Sequence, residues 1–158
     1  MKAAAEIAAL FDRDLTRLSQ ELEAFPDSET LWKTLPGVSN CAGNLILHLN
    51  GNLREYVGRQ LGRRDYVRDR PAEFAAFSHS THDLIAMTKE LRETIPAIVA
   101  QLSPEQLEST YPDQVWGKPI STFQFLVSLV AHLNYHLGQI DYLRRVLTQR
   151  SALDFAPL

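Results

Sequence analysis

His132 and His136 lie four residues apart in an apolar-periodic segment of the C-terminal part of the chain. On a helix that spacing puts both imidazoles on one face, about 5–6 Å apart at Cβ. Two nitrogens so placed can converge on one ion at about 2.0–2.1 Å from each. The HxxxH spacing by itself is common; its phase carries the weight. Both histidines fall where the helical stripe assigns the core, and neighbouring buried imidazoles need partners, which a shared cation supplies. A third imidazole, His48, falls on the apolar stripe of another helix. Three nitrogen ligands leave one position free for water or substrate, the pattern of catalytic rather than closed structural sites. Zinc, nickel, iron and manganese all accept such a set. A zinc-protease reading fails, because it needs a glutamate directly after the first histidine and that residue is Leu133.

Other groups carry less. Asn44 and Asn52 flank His48 by one turn on either side, and read equally as groups that orient a ligand or a bound water and as plain helix polarity. Cys41, two turns before His48, sits where a helix dipole lowers a thiol pKa, but reads better as a small buried residue than as a thiol sensor. His79 and His82 read as a solvated helix start. Glu55 and Tyr56 are within range of the site, whereas Tyr135 and Asp141 lie off the His132/His136 face. The arginines from Arg54 to Arg70 alternate with Asp65 and Asp69 and read as a solvated, salt-paired surface, with an anionic substrate as the contrasting role.

The elements that must position these residues are helices. Ile7, Phe11, Leu15, Leu18 and Leu22 recur at helical spacing up to Pro26. A second helix is expected after Pro36-Gly37, capped by Ser39 or Asn40 and running to about Leu61, with Leu45, His48, Leu49, Asn52, Leu53 and Tyr56 inward. A third starts at Ser80 with Asp83 completing a capping box and runs to Leu102, with a kink expected at Pro96. Ser103-Pro104-Glu105-Gln106 predicts a short extra helix near 103–109. Tyr111 to Pro119 reads as extended or looped. The last helix runs from Ser121, with Gln124 closing a box, to about Leu147; the tail from Gln149 reads as weakly structured. Four amphipathic helices bury their stripes against one another, so the expected fold class is all-α, a four-helix bundle over residues 1–158 as one domain. The long connection between the second and third helices, with Arg63, Arg64, Arg68 and Arg70, crosses the bundle or covers an open end.

Composition narrows the setting. Of 158 residues, 45% are hydrophobic and 22% charged, as in an ordinary globular protein, and a net charge of −3 gives no general attraction to nucleic acid or anionic membrane. No apolar run approaches the roughly 18 residues of a membrane span. The alanine-rich start carries Lys2, Glu6, Asp12, Arg13 and Asp14 and reads as a helix, not a signal peptide. The single cysteine excludes an intrachain disulfide framework and suits a reducing cytoplasm.

The segments Asn44-Leu-Ile-Leu-His48-Leu-Asn-Gly-Asn-Leu-Arg and Ala131-His132-Leu-Asn-Tyr-His136-Leu-Gly-Gln-Ile-Asp-Tyr-Leu-Arg-Arg resemble the two signature helices of the DinB/YfiT-like superfamily, which is unrelated to the DNA polymerase called DinB. The resemblance spans nearly the whole chain and implies a divalent metal held by His48, His132 and His136. It further implies a low-molecular-weight thiol cosubstrate and a homodimer, since relatives include bacillithiol S-transferases and a mycothiol-dependent maleylpyruvate isomerase. The expected function is a metal-dependent enzyme, a thiol-dependent S-transferase or a hydrolase, acting on a small electrophilic molecule. The contrasting expectation is a non-catalytic metal-binding or stress-response bundle in which the metal is structural.

Overall fold

The computed structural model of the protein describes residues 2–75 and 79–155. The helices are α1 (Lys2–Glu23), α2 (Ser28–Leu31), α3 (Ala42–Leu53), α4 (Arg70–Ala75), α5 (Thr81–Ala100), α6 (Pro104–Glu108) and α7 (Thr122–Thr148), and α3 runs on into a π-helical turn, Arg54–Arg59. Among the described residues there is no strand, only an isolated antiparallel bridge between Thr110 and Ser121. The principal contacts of α1, α3, α5 and α7 close a ring: α1 lies against α5 and α7, and α3 lies against the same two. The expected all-α bundle is therefore what forms, with α6 as the expected short extra helix.

Several helix starts follow directly from capping chemistry. Ser80 and Ser103 each accept a hydrogen bond from the amide three residues on, and Asp83 and Gln106 return the bond to the cap amide. At Ser121 only half of the expected box is present: its Oγ accepts from the Gln124 amide, with no return bond. The start of α3 differs from expectation. Cys41, not Ser39 or Asn40, is the N-cap, and it makes no side-chain capping bond. Instead its Sγ donates to Asn44 Oδ1 at 2.9 Å inside the core, so burial rather than capping chose the position. Helix α5 passes through Pro96 without interruption.

Every residue of α3 from Ala42 to Leu53 is buried, which makes it the central element of the ring. Close packing at its start depends on a missing side chain: a Cβ on Gly43 would stand 2.5 Å from Cε3 of Trp32. The Trp32 indole is itself held, its Nε1 donating to the His79 carbonyl at 2.8 Å. Gly43→Ala should therefore destabilise by about 1–3 kcal/mol, although alanine is ordinarily the better helix former. Urea unfolding checks this; an unchanged midpoint would mean that the indole moves aside at no cost.

Polar groups in the core hold the bundle's other joints. Asp14 of α1, fully buried, accepts from Arg13 and from Asn134 of α7. Glu21 of α1 and Arg144 of α7 form a buried ion pair, and Arg144 also donates to Asp141 and to the Ser151 carbonyl. That last contact, with Arg17 stacked over Phe155, ties down a tail expected to be loose.

Candidate metal centre

His48 projects from the middle of buried α3 and is itself only 7% exposed, while His132 and His136 project from α7 and are partly buried. One ring nitrogen from each comes within 4.8 Å of the other two. The Nε2 atoms of His48 and His132 are 3.2 Å apart, and those of His136 and His132 are 3.1 Å apart. Nitrogens at those separations, each 2.0–2.1 Å from a shared ion, subtend about 100° at it, between octahedral and tetrahedral values.

The opposite sides of the rings decide which nitrogens carry protons. His48 Nδ1 lies 2.9 Å from Glu73 Oε2, an obligate acceptor while ionised, so Nδ1 donates and Nε2 is left as a lone pair. His136 Nδ1 lies 2.7 Å from Gln139 Oε1, with the same consequence. Two lone pairs then point at His132 Nε2, which has at most one proton to offer. Without a cation one of the pairs is unmatched; with one, all three Nε2 atoms are ligands. His132 Nδ1 is buried with no protein partner. The donor set therefore fits a divalent ion bound by imidazole.

Electrostatics agree. Burial, reinforced by the His136 and His48 charges and by Arg68, pushes His132 down to about 4, and burial also lowers His136. Both rings are neutral, and so ready to ligate, at neutral pH. Burial pushes Glu73 up, but hydrogen bonds from His48 and Arg68 outweigh it and hold the carboxyl below its usual range. The depressed His132 fixes the sign of an acid effect. Between about pH 6.5 and 4 the unfolded chain binds a proton that the folded chain refuses, so stability is present above 6.5 and lost as pH falls through that window. Metal-stripped protein should lose stability across that window, read as a falling melting temperature. A flat profile would contradict the depressed value.

The other expected participants are distributed unevenly. Asn44 does not touch a ring; its Nδ2 donates to the Glu73 carbonyl at 3.1 Å, so it acts on the site through α4. Asn52 is buried with its Oδ1 unpartnered and makes no hydrogen bond to the three histidines. Cys41 is buried and its thiol is pushed up by that burial, contrary to a dipole-activated thiolate. His79 and His82 stand at the start of α5 and are not among the converging nitrogens. Tyr135 is exposed, but its ring stands edge-on to that of His136 at 5.2 Å, nearer the cluster than its place on the helix suggested, whereas Asp141 pairs with Arg144 and Arg145. Arg54 pairs with Glu90 and Arg59 with Glu55, as a salt-paired surface requires. Arg68 departs from that reading: it turns inward onto Glu73.

Glu73, Arg68 and Gln139 were not singled out by residue type and spacing. Gln139 was within reach, since residues three apart on a helix are neighbours. Glu73 is 25 residues from His48 on a six-residue helix, with no periodicity to announce it.

The comparison that decides the family is over sequence. A family model described as Mycothiol-S-transferase matches residues 6–149. The chain belongs to that family. No curated protein matches it. Among solved structures, this mycothiol-S-transferase family chain is similar to a DinB-like protein from Bacillus subtilis, at 16% identity and a TM-score of 0.72 over 97% of this chain and 99% of the other. It is also similar to a DinB-like protein from Bacillus cereus, at 15% identity and a TM-score of 0.67 over 92% and 91%. Both share the fold, and the expected DinB/YfiT-like superfamily holds. No helix among the described residues is long and apolar enough to cross a membrane.

Proposed function

We propose that the chain is a divalent-metal-dependent S-transferase that joins a low-molecular-weight thiol of the mycothiol type to a small electrophile. The observation that carries this reading is the convergence of three Nε2 atoms, two of them fixed as lone pairs by partners on the far side of their rings. The family supports the thiol. His48, His132 and His136 would hold the ion, and what a bound divalent ion supplies is acidification of a thiol at its open position near neutral pH. The protein's own groups do the rest. Glu73 and Gln139 keep the Nδ1 protons in place, so neither His48 nor His136 can rotate its lone pair away. The Phe74 ring packs against that of His48, with centroids 5.2 Å apart. The thiol sulfur forms a bond to the electrophilic carbon as the bond from that carbon to its leaving group breaks. The leaving group departs with its electron pair, and the thiol proton passes to solvent. A reducing compartment, as expected for a chain with one buried cysteine, keeps such a thiol available.

The test is direct. Protein purified without added metal is assayed for bound metal, and then for consumption of mycothiol with a haloalkyl-type fluorogenic electrophile, before and after chelation. Stoichiometric metal and chelator-sensitive thiol conjugation are expected. Metal without any thiol-dependent turnover would remove the transferase reading, and metal-dependent ester or amide hydrolysis needing no thiol would replace it with a hydrolase.

A further inference from the structure

The connection between α3 and α5 places a buried ion pair directly behind one of the three imidazoles. Arg68 donates from Nε to Glu73 Oε1 at 2.6 Å and from Nη2 to Oε2 at 2.9 Å, and the two side chains are only 11% and 6% exposed. Such a pair is a poor means of gaining stability, since removing both charges from water costs about what their attraction returns. Its surroundings instead fit a role at His48. Oε2 of Glu73 also accepts from His48 Nδ1 at 2.9 Å, and Arg68 Nη2 lies 3.3 Å from the same nitrogen.

Residues on either side of His48 shape a slot for this carboxylate. Asn44, one turn before, fixes the residue-73 backbone through the Glu73 carbonyl. Gly51, three residues after, leaves the space open: a Cβ there would stand 2.1 Å from Glu73 Oε1. The far face of Arg68 rests over the Tyr56 ring of the π turn, at 5.6 Å from its centroid. One helix therefore supplies the ligand and both walls of the slot, and the chain that follows returns to fill it.

We propose that Glu73, braced by Arg68 and admitted by Gly51, is the positioning residue of His48, so that the folding of residues 68–74 onto α3 is part of the protein's affinity for metal. The proposal rests on the metal-binding half of the function proposed above and goes beyond it. Glu73 holds the Nδ1 proton and leaves Nε2 bare before any ion arrives; Arg68 holds the carboxylate in register. A ring oriented in advance loses little freedom on binding, and a carboxylate behind it strengthens the nitrogen as a donor.

Two measurements on the full chain test this. In metal-free protein, nitrogen-15 chemical shifts of the imidazoles report the tautomer, and His48 is expected as the Nδ1–H form. Zinc affinity, read by competition with a chromogenic chelator, is expected to fall about 10–100-fold in Glu73→Ala, less in Glu73→Gln, which keeps a carbonyl acceptor, and to fall in Arg68→Ala. Gly51→Ala should weaken zinc in the same direction while leaving every ligand in place. Glu90→Ala, which breaks the exposed pair with Arg54, should bind as the wild type does. If Glu73→Ala does not fold, Glu73→Gln decides. Finding His48 as the Nε2–H tautomer, or folded Glu73 variants that bind zinc within about twofold of wild type, would overturn the proposal. Should the wild type bind no zinc, the metal reading falls, and the tautomer measurement alone then decides for or against Glu73.

Discussion

His132→Ala is expected to abolish metal-dependent turnover while leaving the metal-free protein about as stable as its parent. His132 Nε2 is the nitrogen that both other rings approach, so its loss breaks two of the short separations at once. Changes to outer partners alone typically cost about 10–100-fold in metal affinity, and removal of a ligand should cost at least about 100-fold. Stability moves differently. The wild-type ring has a buried Nδ1 without a partner, which counts against the metal-free fold, while its depressed proton affinity costs almost nothing at neutral pH. Truncation removes the first penalty and introduces a cavity cost of its own, so the two metal-free proteins should melt within a few degrees of each other at neutral pH. Addition of zinc to about a thousand times its dissociation constant should then stabilise only the wild type, by about 4 kcal/mol. For a chain of this length that is roughly 8–16 °C. Calorimetry with and without zinc reads the difference. An equal metal-induced rise in the variant would show that His132 is not a ligand.

Arg144→Ala is expected to be the most damaging single change far from the histidines. The guanidinium is 1% exposed and Glu21 is fully buried, and Glu21 Oε1 already lacks a partner. Burial pushes the Glu21 carboxyl up and Arg144 pulls it back only in part, so the carboxylate depends on this cation. Breaking a buried pair from one side costs about 3–5 kcal/mol, because the remaining charge is left in a low dielectric. Roughly 6–20 °C should be lost from the melting temperature. Glu21→Leu combined with Arg144→Leu should recover most of that loss, since apolar residues of similar volume replace such a pair at little cost. The tail should still loosen in the double variant, because the Ser151 carbonyl loses its donor. An Arg144→Ala protein melting within about 2 °C of wild type would show that the pair contributes little.

What could be read from residues alone follows the range of the interactions involved. The capping boxes at Ser80 and Ser103 are three-residue events, so the starts of α5 and α6 were legible. His132 and His136 were legible from spacing, and His48 from its phase on a neighbouring stripe. The start of α3 was misplaced because Ser39 and Asn40 are better caps by type, whereas Cys41 holds the position through packing. Glu73 and Arg68 were hidden for a related reason. Charged residues in a polar connection look solvated until the fold closes over them, and only three-dimensional proximity distinguishes Arg68 from Arg63 or Arg64. The π turn leaves no trace in a 3.6-residue stripe.

That turn amounts to a length specification. A π turn holds one more residue than the α turns around it would need, and here the surplus falls between the helix carrying His48 and the connection that returns to it. Removal of one residue between Arg54 and Arg59 would let an ordinary α-helix continue, and everything beyond would rotate by about 100°. Tyr56, whose carbonyl accepts from Tyr111 and whose ring carries Arg68, sits at the point where that rotation begins. Chains that differ here by a single-residue deletion would keep all three histidines and still deliver their connection to a different side of the bundle.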